Sequence, residues 1–71
     1  MNRYFEFIGG TSVKFWEVTV SGCDVTVRYG RLGNSGQTQT KTLDDVAAAQ
    51  KHAETLIGQK LEKGYLEKQL A

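Results

Sequence analysis

The chemistry-bearing residues of this sequence are few and scattered. His52 is the lone histidine and Cys23 the lone cysteine. Neither a nucleophile with its base and orienting group nor a metal cluster with ligand spacing can be assembled from them. On a helix, His52 falls near the edge of an apolar stripe, where a partly exposed imidazole without a catalytic partner is expected. Cys23 stands at the start of a strand with no histidine close by to lower its pKa, the setting of a packed or tolerated thiol. A single cysteine also excludes an internal disulfide and fits a reducing compartment. Glu6 and Glu17 are expected to face each other across paired strands, with Arg3 and Lys14 completing an exposed ladder of mixed charge rather than an acid/base pair.

The densest stretch is RYGRLGNSGQ, residues 28–37, which sets an aromatic and two arginines beside glycines at positions 30, 33 and 36. A phosphate-cradling glycine loop runs from a strand into a helix, whose N-terminus faces the anion. Here a strand follows, so the stretch reads as a hairpin, with glycines and Asn34 supplying left-handed backbone. Arg31, beside that hairpin, can reach a phosphate through a bidentate contact or bridge to a partner's carboxylate. Tyr29 either finishes the core or presents an aromatic face, and Gly30 would permit a bulge that turns Tyr29 or Arg31 off the regular pleat. Arg28 and Lys41 are the supporting candidates for a positive strip near the hairpin.

The elements that must hold these residues follow from periodicity. Residues 3–8 alternate, with Phe5 and Phe7 on one face and Tyr4, Glu6 and Ile8 on the other. In residues 12–20, Trp16, Val18 and Val20 share a face opposite Phe15, Glu17 and Thr19, and Trp16 is expected to be the main core aromatic. A third strand places Val25, Val27 and Tyr29 together. The fourth, Gln37–Thr42, is polar on both faces and belongs at a sheet edge or under cover. Then the period changes: Val46, Ala49, Ala53, Leu56, Ile57 and Leu61 form a helical stripe. Thr42 is the expected N-cap, with Asp45 at the third helical position, Asp44 and Asp45 at the positive end of the helix dipole, and Gly64 at the exit. The expected fold class is α+β, an antiparallel sheet of about four strands with one long C-terminal helix packed on one face.

At 71 residues, 39% hydrophobic and 24% charged, the sequence fits one domain spanning 1–71, with its core in about 3–65 and a short tail at 66–71. A domain of this size hides only about 60% of its unfolded surface, so its aromatics matter disproportionately. No apolar run approaches the ~18 residues of a membrane span. The opening MNRYFEFIGG lacks the apolar core of a secretory signal, so a cytoplasmic location is expected. A formal charge of +1 means that phosphate binding must come from a local patch.

RYGRLGNSGQTQTK resembles the signature of the WGR domain, with Tyr29-Gly30-Arg31 standing for Trp-Gly-Arg. The resemblance continues through RYFEF, KFWEVTV and TLDDVAAAQKHAETLIGQKLEKGY, covering residues 3–65. In that family the domain accompanies the catalytic domain of poly(ADP-ribose) polymerases, where it binds DNA breaks and relays the event, and it also occurs in small bacterial proteins, the kind this chain resembles. The family's Trp stacks on the terminal sugar of a DNA end, and its Arg contacts DNA or neighbouring domains. Those positions map onto Tyr29 and Arg31. Tyr keeps an aromatic face with less stacking area, in an interaction worth ~1–3 kcal/mol per base in single-strand binders. The resemblance implies a binding module without catalysis, NAD, metal or other cofactor. The expected partner is DNA, at ends or nicks, held by Tyr29, Gly30, Arg31, Arg28 and Lys41. A protein-interaction module using the same surface is the alternative, and no membrane partner is expected.

Overall fold

The computed structural model describes residues 1–68. The strands are β1 (Asn2–Gly9), β2 (Ser12–Ser21), β3 (Asp24–Arg31), β4 (Gln37–Thr42) and β5 (Leu66–Lys68), with one helix, α1 (Val46–Glu62), between the last two. They form a five-stranded antiparallel sheet in the order β4-β3-β2-β1-β5. The sheet thus has one strand more than the expected four, and the helix is not the last element.

The period-two alternation sorts the side chains as the sequence implies. Phe5, Trp16, Val18, Val20 and Val25 are buried on one face. Against them α1 buries Ala49, Ala53 and Ile57, the two alanines leaving room for the helix backbone to approach the sheet. Trp16 and Phe5 meet at a ring separation of 5.6 Å, and Trp16 is core, as its parity requires. The ends of the stripe, Val46 and Leu61, are exposed. β4 is exposed along its whole length and forms one edge of the sheet.

The helix starts later than the capping-box spacing suggested. Thr42 is still in β4, opposite Asp24, and its hydroxyl donates to that carboxylate. Asp45 is the N-cap, in extended conformation, and its carboxylate accepts from the Ala48 N–H at 2.7 Å. The expected cap was wrong because Thr, a good cap, is also a good strand residue, and pairing with β3 won. At the other end Gly64 takes φ +98°. Its N–H donates to Leu61 O and the Tyr65 N–H to Lys60 O, both at 3.1 Å, the Schellman arrangement that needs a left-handed residue there.

This exit swings Tyr65 onto Phe7, ring centroids 5.5 Å apart, and delivers the next residues to the free edge of β1. Leu66–Lys68, expected as part of a tail, form β5, with Glu67 opposite Phe5. A three-residue strand is too short to show a period. The rest of that tail, residues 69–71, lies outside the described residues. Arg3 closes the join with two hydrogen bonds to the Glu67 carboxylate, at 2.8 and 2.7 Å.

The expected ladder of mixed charge does not form. Glu6 lies opposite Phe15 and Glu17 opposite Tyr4. Arg3 and Lys14 belong to the helix-bearing face by strand parity, and both acids to the open one. Each charge finds a different neighbour: Glu6 accepts from the Tyr4 hydroxyl, Glu17 pairs with Arg28, and Lys14 lies over Phe7.

The hydrogen bonds from Arg3 hold the Glu67 carboxyl below the ordinary glutamate range. The native state therefore binds fewer protons there than the unfolded chain, so the pair stabilises above the ordinary glutamate pKa and that contribution fades as pH falls through the lowered value. Both side chains are more than a third exposed, so global stability should change little. The expected outcome is local: amide exchange at residues 66–68 accelerates on acidification before that of β2 and β3, and Glu67→Gln shows the acceleration already at neutral pH.

Candidate nucleic-acid interface

The site is built where β3 ends. Tyr29, Gly30 and Arg31 finish that strand, and residues 32–36 turn back to Gln37, the first residue of β4. The turn is closed by the Asn34 N–H donating to Arg31 O at 3.1 Å, and tied to β2 by the Leu32 N–H donating to Val13 O at 3.1 Å. Gly33 and Gly36 have φ of +95° and +81°, as a glycine hairpin implies.

Gly30 does not make a bulge. β3 keeps its register with β2 without interruption through Arg31, which lies opposite Lys14. The requirement at position 30 is closeness: a Cβ there would stand 3.0 Å from the Gly36 Cα. A Cβ on Gly36 would come within 2.6 Å of Tyr29 O and 2.7 Å of the Phe15 ring. The hairpin therefore lies directly on the open face of the sheet and covers Phe15, which is 3% exposed although no helix reaches that face.

Arg28 clamps this arrangement. Its guanidinium lies 4.5 Å from the Phe15 ring centroid, its Nε donates to Glu17 Oε1 at 3.0 Å, and its Nη1 donates to Ser35 O at 2.8 Å. Tyr4 stacks on the other side of the cluster, 6.1 Å from Phe15. Arg28 thus faces away from Tyr29, Arg31 and Lys41.

Those three are brought together on the opposite face. Between α1 and strands β2, β3 and β4 lies a cleft of about 690 Å³ whose walls include Tyr29, Gly30, Arg31 and Lys41. Tyr29 is half-buried, packs on the rim of the core and points its hydroxyl at Gln37 Oε1, 3.3 Å away. It is both the last core residue of β3 and part of the cleft wall. His52, at the stripe edge as expected, lines the helix side with Leu56 and Gln59.

Two further cations enter the cleft: Lys14, which sequence reasoning placed in a mixed-charge ladder, and Lys60, which it did not single out. Lys60, in the last turn of α1, lies 5.6 Å from the Trp16 ring centroid and 5.3 Å from that of Tyr65. Burial, then the charges of Lys63 and Lys14, pull its pKa below the ordinary lysine value. Burial likewise pushes the Tyr65 phenol up. The cleft walls contain Lys14, Arg31, Lys41 and Lys60 but no aspartate or glutamate. A group of residues able to hold a metal ion does not occur among the described residues.

The fold is a small antiparallel sheet with one helix and a cationic cleft between them. The family model of the WGR domain matches residues 1–71, and the chain belongs to that family. WGR domains are in general nucleic-acid-binding modules and are not catalytic in themselves. Among curated proteins the chain is 37% identical over 67 residues to the uncharacterized protein YfeS of Escherichia coli K12, covering 94% of this chain and 28% of that protein. It is 38% identical over 65 residues to the E. coli protein YehF, covering 92% and 24%. A crystal structure of a Bacteroides fragilis protein superposes with a TM-score of 0.94 at 46% identity, over 97% of this chain and 20% of that one. The chain thus spans about a quarter of the curated relatives it matches.

The packing makes three predictions, each read by urea denaturation. Gly36→Ala combines a left-handed backbone with a clash against Tyr29 O and should cost about 2–4 kcal/mol. Gly33→Ala, where nothing lies within 4 Å, should cost about 1–2 kcal/mol from backbone conformation alone. Arg28→Ala should cost about 1–2 kcal/mol through the lost stacking and ion pair, with the largest amide-shift changes at Phe15 and Ser35 on the open face.

Proposed function

We propose that this module binds DNA, at ends or nicks, through the mouth of the cleft between the Tyr29-Gly30-Arg31 strand end and α1. The observation that carries this reading is the lining: an aromatic ring and several lysine and arginine side chains share one concave surface without a carboxylate. Phosphates are attracted by the cations, and the aromatic face offers sequence-tolerant stacking. Arg31 and Lys41 make the phosphate contacts, and Tyr29 stacks on a sugar or base at the strand terminus. Gly30 lets the hairpin settle so that the strand end holds its position. Arg28, committed to Glu17 and Ser35 O, serves the site by anchoring that hairpin.

The test is an amide-shift titration of the labelled domain with a short linear duplex and with a covalently closed circle of DNA, at low and physiological salt. Shifts at Tyr29, Arg31 and Lys41 with the linear duplex alone support recognition of ends. Equal shifts with both reduce the reading to general DNA binding. No localised shift with either, even at low salt, assigns the cleft to protein docking, a role consistent with relatives about four times longer than this chain.

With two or three phosphate contacts, affinity should fall shallowly with salt, and Arg31→Ala should reduce the slope of log K against log salt by about one. Arg28→Ala should leave the slope nearer to that of the unaltered protein. Tyr29→Ala should weaken binding by ~1–3 kcal/mol and leave the slope unchanged.

A further inference from the structure

Lys60 is an unusual place for a charge. Its ammonium sits at the edge of two aromatic rings, half-buried, in the last turn of α1. Lys14 reaches the same spot from β2, its Nζ 6.0 Å from the Tyr65 ring centroid and 5.2 Å from that of Phe7. Among the described residues the ion pairs are Arg3 with Glu67 and Arg28 with Glu17, so neither lysine is matched to a carboxylate. Two like charges therefore approach one ring, each within 6.0 Å of the Tyr65 centroid. Burial is the largest cause of the lowered Lys60 pKa, followed by the charges of Lys63 and then Lys14.

We propose that Lys14 and Lys60 form a phosphate seat at the helix-exit end of the cleft, with the Tyr65 ring as its wall. The aromatic rings fix the two ammonium groups by their stems and faces, so little ordering remains to be done when an anion arrives. Two ammonium groups beside one ring match a group with more than one negative charge and several acceptor oxygens, which is the character of a phosphate. Lys14 is the cross-strand partner of Arg31, so the seat continues the positive line of the strand end across the sheet. The seat rests on the nucleic-acid reading of the cleft only for the source of its phosphate. A nucleic-acid backbone and a free phosphate or nucleotide present the same chemistry to it.

The experiment titrates the labelled domain with inorganic pyrophosphate and, separately, with a short linear oligonucleotide duplex. It follows the Cε–Hε signals of the lysines in the unaltered protein and in Lys60→Met, Lys14→Met and Lys51→Met. Methionine keeps an apolar stem for the Trp16 and Tyr65 contacts. Lys51 is exposed on α1 and outside the cleft, so its variant carries the same loss of charge. Pyrophosphate should shift Lys14 and Lys60 saturably, with affinity about tenfold weaker in Lys60→Met or Lys14→Met, as for the loss of one charged hydrogen bond, and within about twofold in Lys51→Met.

Oligonucleotide shifts at the same lysines identify the backbone as the source. A response to pyrophosphate with none to the oligonucleotide leaves the seat standing and overturns the nucleic-acid reading. The seat itself is overturned by the absence of a saturable pyrophosphate shift or by equal weakening in the Lys60 and Lys51 variants; an oligonucleotide that shifts Arg31 and Lys41 but neither Lys14 nor Lys60 overturns the backbone as its source and assigns it a free phosphate.

Discussion

The backbone of the β3–β4 hairpin rests on the sheet at Gly30, and the site depends on that contact. With Gly36 Cα at 3.0 Å from where a side chain would start, position 30 tolerates no Cβ without displacing the loop. The contact has two consequences on opposite faces. It caps Phe15, giving the open face a small apolar cluster that the single helix is unable to supply. It also fixes the direction in which β3 ends, and hence where Tyr29 and Arg31 stand relative to α1. A glycine central to a binding motif thus acts here through packing, with an ordinary strand backbone and no bulge.

Strand parity then divides the work of the two arginines. Arg28 and Arg31 are three residues apart, so the pleat sends them to opposite faces. On the open face Arg28 finds a ring, a carboxylate and a carbonyl, and it becomes an internal tie. On the helix face Arg31 meets Lys14 across the strand pair and no acid in the cleft. The same residue type, on the same strand, is structural in one case and available for a ligand in the other. Composition alone gives no hint of that difference.

Much of this was legible because two-residue and helical periods report directly on burial. The faces of β1, β2 and β3, the polar edge strand, the central helix stripe and the Gly64 exit can all be read from residue spacing. Where local preferences competed, the reading failed: Thr42 satisfies both a cap and a strand, and pairing with Asp24 decided for the strand. β5 carries too few residues for a period and exists because the Schellman turn brings it to the β1 edge. Lys60 was missed for another reason. On a helical wheel it is one polar residue beside the apolar stripe, and only the folded arrangement shows that Trp16, Tyr65 and Lys14 converge on it.

The overall charge is +1, yet the charges are not mixed evenly. Glu6 and Glu17 lie on the open face and Glu67 is occupied by Arg3 at the far edge, while the cleft gathers Lys14, Arg31, Lys41 and Lys60. At physiological ionic strength the Debye length is about 8 Å, so such a patch acts at short range and contributes little to long-range steering. On the proposed reading, recognition depends on what happens at contact: a ring half-exposed at the strand end, a guanidinium beside it, and lysines over aromatic faces. Tyr29 and Lys60 are packed against the core before any partner arrives, which on that reading keeps the entropy they lose on binding small. A nearly neutral domain can therefore discriminate among anionic partners by geometry, where a highly basic one would adhere to all of them.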